Sequence, residues 1–200
     1  FRNNNGSALG IVARESTALA GSTSDTVVSM ANPNLIERLG VPKVIYEVVG
    51  KGSGVTGLNN KYIVRYDSGN SSRTVAARLG QSMGSGVTVK TLSVPVAVGG
   101  TGTAPCFVSA LAGTTPTADS AIVLGTSYAV GAGATTLREG QTIPSLTQTG
   151  FAQLGTAVRI SKSDLGLATF LTTLKSLAPT GSVPTVRTTN DTAIFLGDLP

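Results

Sequence analysis

The strongest regularity in the chain is an alternation of apolar and polar positions between residues 43 and 94. In Lys61-Tyr62-Ile63-Val64-Arg65-Tyr66 a period of two puts Lys61, Ile63 and Arg65 on one side and Tyr62, Val64 and Tyr66 on the other, which is strand spacing. Residues 43–49, with Val44, Ile45, Val48 and Val49, and residues 87–94, with Val87, Val89 and Val94, share the β-branched bias and predict two more strands. Gly50-Lys51-Gly52-Ser53-Gly54 supplies a flexible hairpin connection after the first of them. A further strand is predicted over residues 151–160, which include Val158 and Arg159.

Helical signals occur twice. Residues 32–40 predict a short helical turn, with Asn32 as cap, Pro33 at the first position and Gly40 at the exit. Ser161-Lys162-Ser163-Asp164 predicts a helix start, and Leu167, Phe170, Leu171, Leu174 and Leu177 follow at three- and four-residue spacing until Pro179. That stripe predicts a helix of about 14 residues with one apolar face. Residues 99–150 are Gly, Ala, Thr and Ser with short apolar runs such as Ala121-Ile122-Val123-Leu124, a composition of β-hairpins or long loops. Another apolar patch, Ala193-Ile194-Phe195-Leu196, lies near the end.

Composition narrows the class. Only 12% of the 200 residues are charged, against roughly 25% in an ordinary soluble domain. Repeated subunits that bury edges and faces against copies of themselves tolerate so few charges, so self-assembly is expected. Residues 1–5 lead into no sustained apolar run, so no secretory leader is expected, and Gly, Pro, Ser and Thr interrupt every long low-charge stretch too often for a membrane span. The single cysteine, Cys106, cannot form an internal disulfide and reads as a small buried hydrophobe.

The chemistry available is restricted. With no histidine, Ser-His-Asp enzymes and histidine-ligated zinc sites are excluded. The ten acids are spread along the chain, and neither a GxxxxGK[ST] loop nor a GxGxxG turn opening a helix is present. No enzyme, cofactor, metal site or small-molecule substrate is therefore expected. The positive charge, in contrast, is concentrated. Residues 38–90 hold Arg38, Lys43, Lys51, Lys61, Arg65, Arg73, Arg78 and Lys90 against Glu47 and Asp67, a local balance of +6 in a chain whose net charge is +5. Such asymmetry points to a polyanionic partner, with an ordinary solvated sheet face as the alternative.

Two stretches carry a resemblance. Lys43 to Val48, followed after a short loop by Asn60-Lys61-Tyr62-Ile63-Val64-Arg65, resembles consecutive strands of the coat proteins of single-stranded RNA bacteriophages. Val158-Arg159-Ile160-Ser161-Lys162-Ser163-Asp164 is similar to that family's final strand running into its first helix. Together they cover about a third of the chain; the absence of Trp, Glu47 on the expected RNA face, and the length of residues 91–150 depart from the pattern. The resemblance implies a homodimer with one continuous sheet, helices clasping the partner, and an icosahedral capsid around single-stranded RNA.

The chain is accordingly expected to be an α+β coat domain spanning residues 1–200: an antiparallel β-sheet with an N-terminal hairpin and a C-terminal helix packing on a dimer partner. Residues 99–150 would form an insertion or extended hairpin region. RNA would be held through phosphates by a basic sheet face of Lys43, Lys61 and Arg65, flanked by Lys51, Arg73, Arg78 and Lys90. Lys43 enters through the resemblance and its place at a strand start. Leu167, Phe170, Leu171, Leu174 and Leu177 would form the subunit interface, and the protein would reside in the virion. The alternatives are an all-β jelly-roll capsid fold and an extracellular adhesin or fibre-type binding module.

Overall fold

The alternating segment folds into an antiparallel meander in the computed structural model: β1 (Thr26–Arg38), β2 (Val41–Lys51), β3 (Lys61–Asp67) and β4 (Ser72–Arg78). The structure describes residues 11–20, 24–38, 41–98, 104–116, 118–124, 136–140, 152–161, 167–176 and 192–198. A second sheet follows, from β5 (Ser82–Gly84), β6 (Val87–Val89), β7 (Val96–Val98), β8 (Ala104–Ala112), β9 (Ser120–Leu124) and β10 (Thr136–Arg138). Its long strand β8 pairs with β9 on one side and with β7 and then β6 on the other. β11 (Ala152–Ser161), β12 (Leu167–Ser176) and β13 (Thr192–Asp198) form a third, three-stranded antiparallel sheet.

Strand alternation decides what lies between the sheets. From the first sheet Ile45, Ile63, Ala76, Ala77 and Leu79 pack against Met83, Val87, Val89, Phe107, Leu111, Ala121 and Val123 of the second. Ile45, Ile63 and Phe107 are each 0% exposed, which places the main core between these two layers. The other face of the first sheet is covered too. Val44, Tyr46, Val48, Tyr62 and Val64 form a second cluster with Val27 and with Leu19 of the N-terminal arm, and Val12, Ala13 and Ala20 of that arm pack against it. The arm is tied to β1 by the Ser16 amide donating to Val27 O (2.8 Å), the Val27 amide to Thr17 O (2.9 Å) and the Leu19 amide to Asp25 O (2.8 Å).

Both helical expectations fail. Residues 167–176 are the central strand of the third sheet, with Phe170 opposite Ile160 and Phe195, and Leu171 opposite Arg159 and Ile194. Thr169, Thr172, Thr173 and Phe170 favour extended backbone, and a short apolar run satisfies helix and strand periods alike. The stripe is thereby broken. Positions 167 and 171 share one face of β12 and positions 170 and 174 the other, while Leu177, Pro179 and the expected start at residues 162–164 lie outside the described residues. Thr172 is buried, and its hydroxyl donates to Thr156 O at 3.2 Å.

Upstream, residues 32–38 belong to β1, not to a helical turn. Between Ala31, opposite Glu47, and Asn34, opposite Ile45, the strand carries one residue more than its partner, and Asn32 takes the positive φ of 52° there. An edge strand accommodates this bulge and a proline without a donor, and the Asn32 amide bonds Glu47 Oε1 at 3.1 Å. Of the strand predicted over 87–94, only residues 87–89 are in β6.

The fold is therefore antiparallel and β-rich, with no helix among the described residues. None of it contains a helix long and apolar enough to cross a membrane. The jelly-roll alternative is not met either: the described strands pair almost wholly with sequence neighbours, whereas a jelly roll interleaves two Greek keys.

The core assignment has a direct consequence. Phe107→Ala should lower the unfolding free energy by about 3–5 kcal/mol, the usual loss for a fully buried aromatic ring. Urea denaturation measures it, and a loss below about 1 kcal/mol would place the ring outside the core.

Candidate nucleic-acid interface

The seven cations singled out in the sequence do not share one face. Lys43, Lys61 and Arg65 alternate with the apolar residues of β2 and β3 on the side that packs, at Ile45 and Ile63, against the second sheet. The middle of the expected basic face is thus closed by protein. Lys43 Nζ lies 3.1 Å from Asp67 Oδ2, its direct partner across β2 and β3. Arg65 is half-buried opposite Ile45 and Thr74.

Of the seven, Lys51, Lys61, Lys90 and Arg73 are exposed, and the backbone gathers the three lysines at one end of the two-layer stack. Lys51 closes β2 and Lys61 opens β3. The Leu79 amide donates to Lys61 O (3.0 Å), and the next amide, Gly80, donates to Val89 O (2.8 Å), which brings the start of β3 beside the end of β6 and Lys90. The hairpin loop between Lys51 and Lys61 is ordered by Asn59: Thr56 N donates to its Oδ1 (2.6 Å), and its Nδ2 donates to Gly54 O (3.0 Å). Gly52 is required at this end, because a Cβ there would collide with the Asp25 carboxylate.

Arg73 and Arg78 stand on the opposite face from Lys61 and Arg65, paired with tyrosines. Their five-residue spacing would put them on different faces of a regular strand. One extra residue restores the parity: β4 pairs Ala77 with Ile63 but Val75 with Val64, so Ala76 is a bulge, Arg78 falls opposite Tyr62 and Arg73 opposite Tyr66. The Arg78 guanidinium lies 5.0 Å from the Tyr62 ring centroid and that of Arg73 5.7 Å from the Tyr66 ring, within cation–π range. Both arginines are fixed through Nε, Arg78 to Asn59 O (3.0 Å) and Arg73 to Val12 O (2.7 Å).

These contacts set the electrostatics. The hydrogen bond from Lys43, with help from the Gly69 amide, holds the Asp67 carboxyl below its ordinary 3.8. Burial pushes the Tyr46 phenol up, opposed by the charge and hydrogen bond of Arg73. Tyr62 is raised as well, first by burial, with Arg78 opposing and Asp25 reinforcing. Tyr62 is only 3% exposed, and its hydroxyl has no hydrogen-bond partner among the described residues.

Sequence reading missed the Tyr62–Arg78 and Tyr66–Arg73 pairs because the register across β3 and β4 and the bulge at Ala76 are not properties of either strand alone. Among the described residues no group of three or more His, Cys, Asp or Glu is placed to hold a metal ion. Compared with known protein families, with curated proteins and with solved structures, the chain matches none.

Two outcomes follow from this geometry. Tyr62→Phe should raise the unfolding free energy by about 1–3 kcal/mol, since it deletes a buried polar atom that gains nothing in the folded chain. A melting temperature below that of the wild type would show that the hydroxyl is satisfied after all. Asp67 has a folded pKa below its unfolded one, so its stabilisation is present above the unfolded value and disappears as pH falls through the folded value. Asp67→Asn should therefore destabilise at neutral pH and make no difference in strong acid; an equal loss at both would assign the effect to packing.

Proposed function

We propose that this chain is a structural subunit of a virus particle, a coat protein that self-associates and packages single-stranded RNA. The observation that carries the reading is the concentration of +6 charges within residues 38–90, whose described part runs through β2, β3 and β4 of the first sheet into β5 and β6 of the second and leaves Lys51, Lys61 and Lys90 exposed at a common end. Contacts to phosphate are made by the margin of the sheet rather than by its face, because the second sheet occupies the centre of that face.

The resemblance to single-stranded RNA phage coat proteins supports the same reading over β2 and β3, the hairpin that contains residues 43–48 and 60–65. Its implied helical clasp is not carried over, since residues 167–176 are a strand. Self-association instead has sheet edges to use: β4 and, beyond the part at Thr26 and Val27 that the arm already pairs, β1 are the outer strands of the first sheet, and β11 and β13 those of the third. Edge strands offer unpaired backbone donors and acceptors, which a copy of the same chain can complete.

The test is the salt dependence of RNA binding. Neutralising three phosphate contacts should flatten the log–log salt slope by about 2, because each contact to a single strand contributes about 0.7. Lys51→Gln, Lys61→Gln and Lys90→Gln combined should show this loss. A wild type that binds no RNA, or a triple variant with an unchanged slope, would leave the lysines as a solvated margin and favour an uncharged binding module.

A further inference from the structure

The loop between β2 and β3 holds a leucine out into solvent. Leu58 is 84% exposed, yet the backbone around it is ordered. Besides the bonds of the Asn59 side chain, the Val55 amide donates to Gly52 O (3.2 Å), the Asn59 amide to Thr56 O (3.0 Å) and the Leu58 amide to Thr56 Oγ1 (3.3 Å). Arg78 Nε ties the loop to β4 through Asn59 O (3.0 Å). An apolar side chain carried on an ordered backbone costs less entropy to cover than one on a loose loop. Elsewhere on the chain an apolar groove of about 420 Å³ lies between the arm and the first sheet, walled by Ile11 and Val12, by Met30 and Pro33 of β1, and by Val44 and Tyr46 of β2. None of the described side chains lining it is charged, and Ile11 is 70% exposed.

We propose that Leu58 of one subunit fills the groove of a second copy, an inference that rests on the self-association reading and gives it a contact apart from the sheet edges. The leucine has to come from another copy. β2 carries the chain from Tyr46, at the groove, to Lys51, five residues and about 17 Å away, and the loop beyond is held at that far end by Arg78. Knob and groove are thus separate places on one subunit. The contact runs head to tail, the type of interface that closes into rings or extends into filaments according to the rotation between copies. The sizes fit, since an apolar cavity of about 150 Å³ already holds a benzene ring. The charges fit as well. Lys51 and Lys61 flank the leucine loop, and beside the groove the Asn32 amide holds the Glu47 carboxylate (3.1 Å), opposite the lining residue Ala31. Arg14 and Glu15, which follow the lining residues of the arm, are both exposed and offset each other.

The experiment is light scattering on the full chain over a concentration series, with Leu58→Ser removing the knob and Ile11→Asp placing a carboxylate on the groove wall. Both positions are exposed, so neither change enters the core, and a thermal melt confirms that each variant is folded. Each should raise the concentration at which subunits associate by about ten- to a hundredfold, the worth of burying one leucine side chain. Mixing the two variants is the deciding step. A subunit with Ile11→Asp keeps Leu58 and one with Leu58→Ser keeps the groove, so the equimolar mixture should form pairs at concentrations where either variant alone does not. A Leu58→Ser variant that associates like the wild type, as it would with any other occupant in the groove, overturns the proposal and leaves self-association to the sheet edges. Losses in both variants with no recovery on mixing overturn it in favour of a symmetric contact. A wild type that stays monomeric overturns the proposal and the self-association reading together.

Discussion

The rest of the structure depends on the first sheet being covered on both faces. Ile45 and Ile63 on one side meet Phe107 and the second sheet, while Val44, Tyr46, Val48, Tyr62 and Val64 on the other meet the arm that contains Leu19. An antiparallel sheet usually keeps one face for water and places its charges there. Here neither face is available at its centre: Glu47 and Arg65, which lie mid-strand beside Ile63 and Ile45, are half-buried, and the exposed lysines of these strands stand at strand ends. Lys43 is paired with Asp67, Arg73 and Arg78 lie against tyrosine rings, Lys51 and Lys61 emerge at the margin, and Lys90, just after β6 of the second sheet, is exposed near them.

That constraint also explains how much of the fold could be read in advance. β2, β3 and their hairpin were legible because each carries its own period and its own turn residues. The face assignment within β3 was correct, with Tyr62 and Val64 in one cluster and Ile63 in the other. What each face meets was not legible, since nothing local to residues 61–66 says that a second sheet will cover Ile63 or that residues 11–20 will cover Tyr62. The stripe from Leu167 to Leu174 failed for a different reason. Its apolar residues fit both periods, and pairing with β11 and β13 decided in favour of the strand.

The candidate site depends on one inserted residue. Without the bulge at Ala76, Arg73 and Arg78 would lie on opposite faces, and only one could stack on a tyrosine. With it, two guanidiniums, two phenol rings and the Asp25 carboxylate border the same side of the first sheet. The site residues found from sequence were cations, selected by sign; their partners, which determine what each cation is able to do, came from register.

Amide hydrogen exchange tests this account most directly, because docking of the arm is what closes the second face. The amides of Ser16, Leu19 and Val27, which bond across the arm and β1, should be protected together with those of Ile45 and Ile63 in β2 and β3. Rapid exchange at Ser16 and Leu19 while Ile45 and Ile63 stay protected would contradict it: the tyrosine face would then be open to solvent, and the groove beside Tyr46 would lose its outer wall.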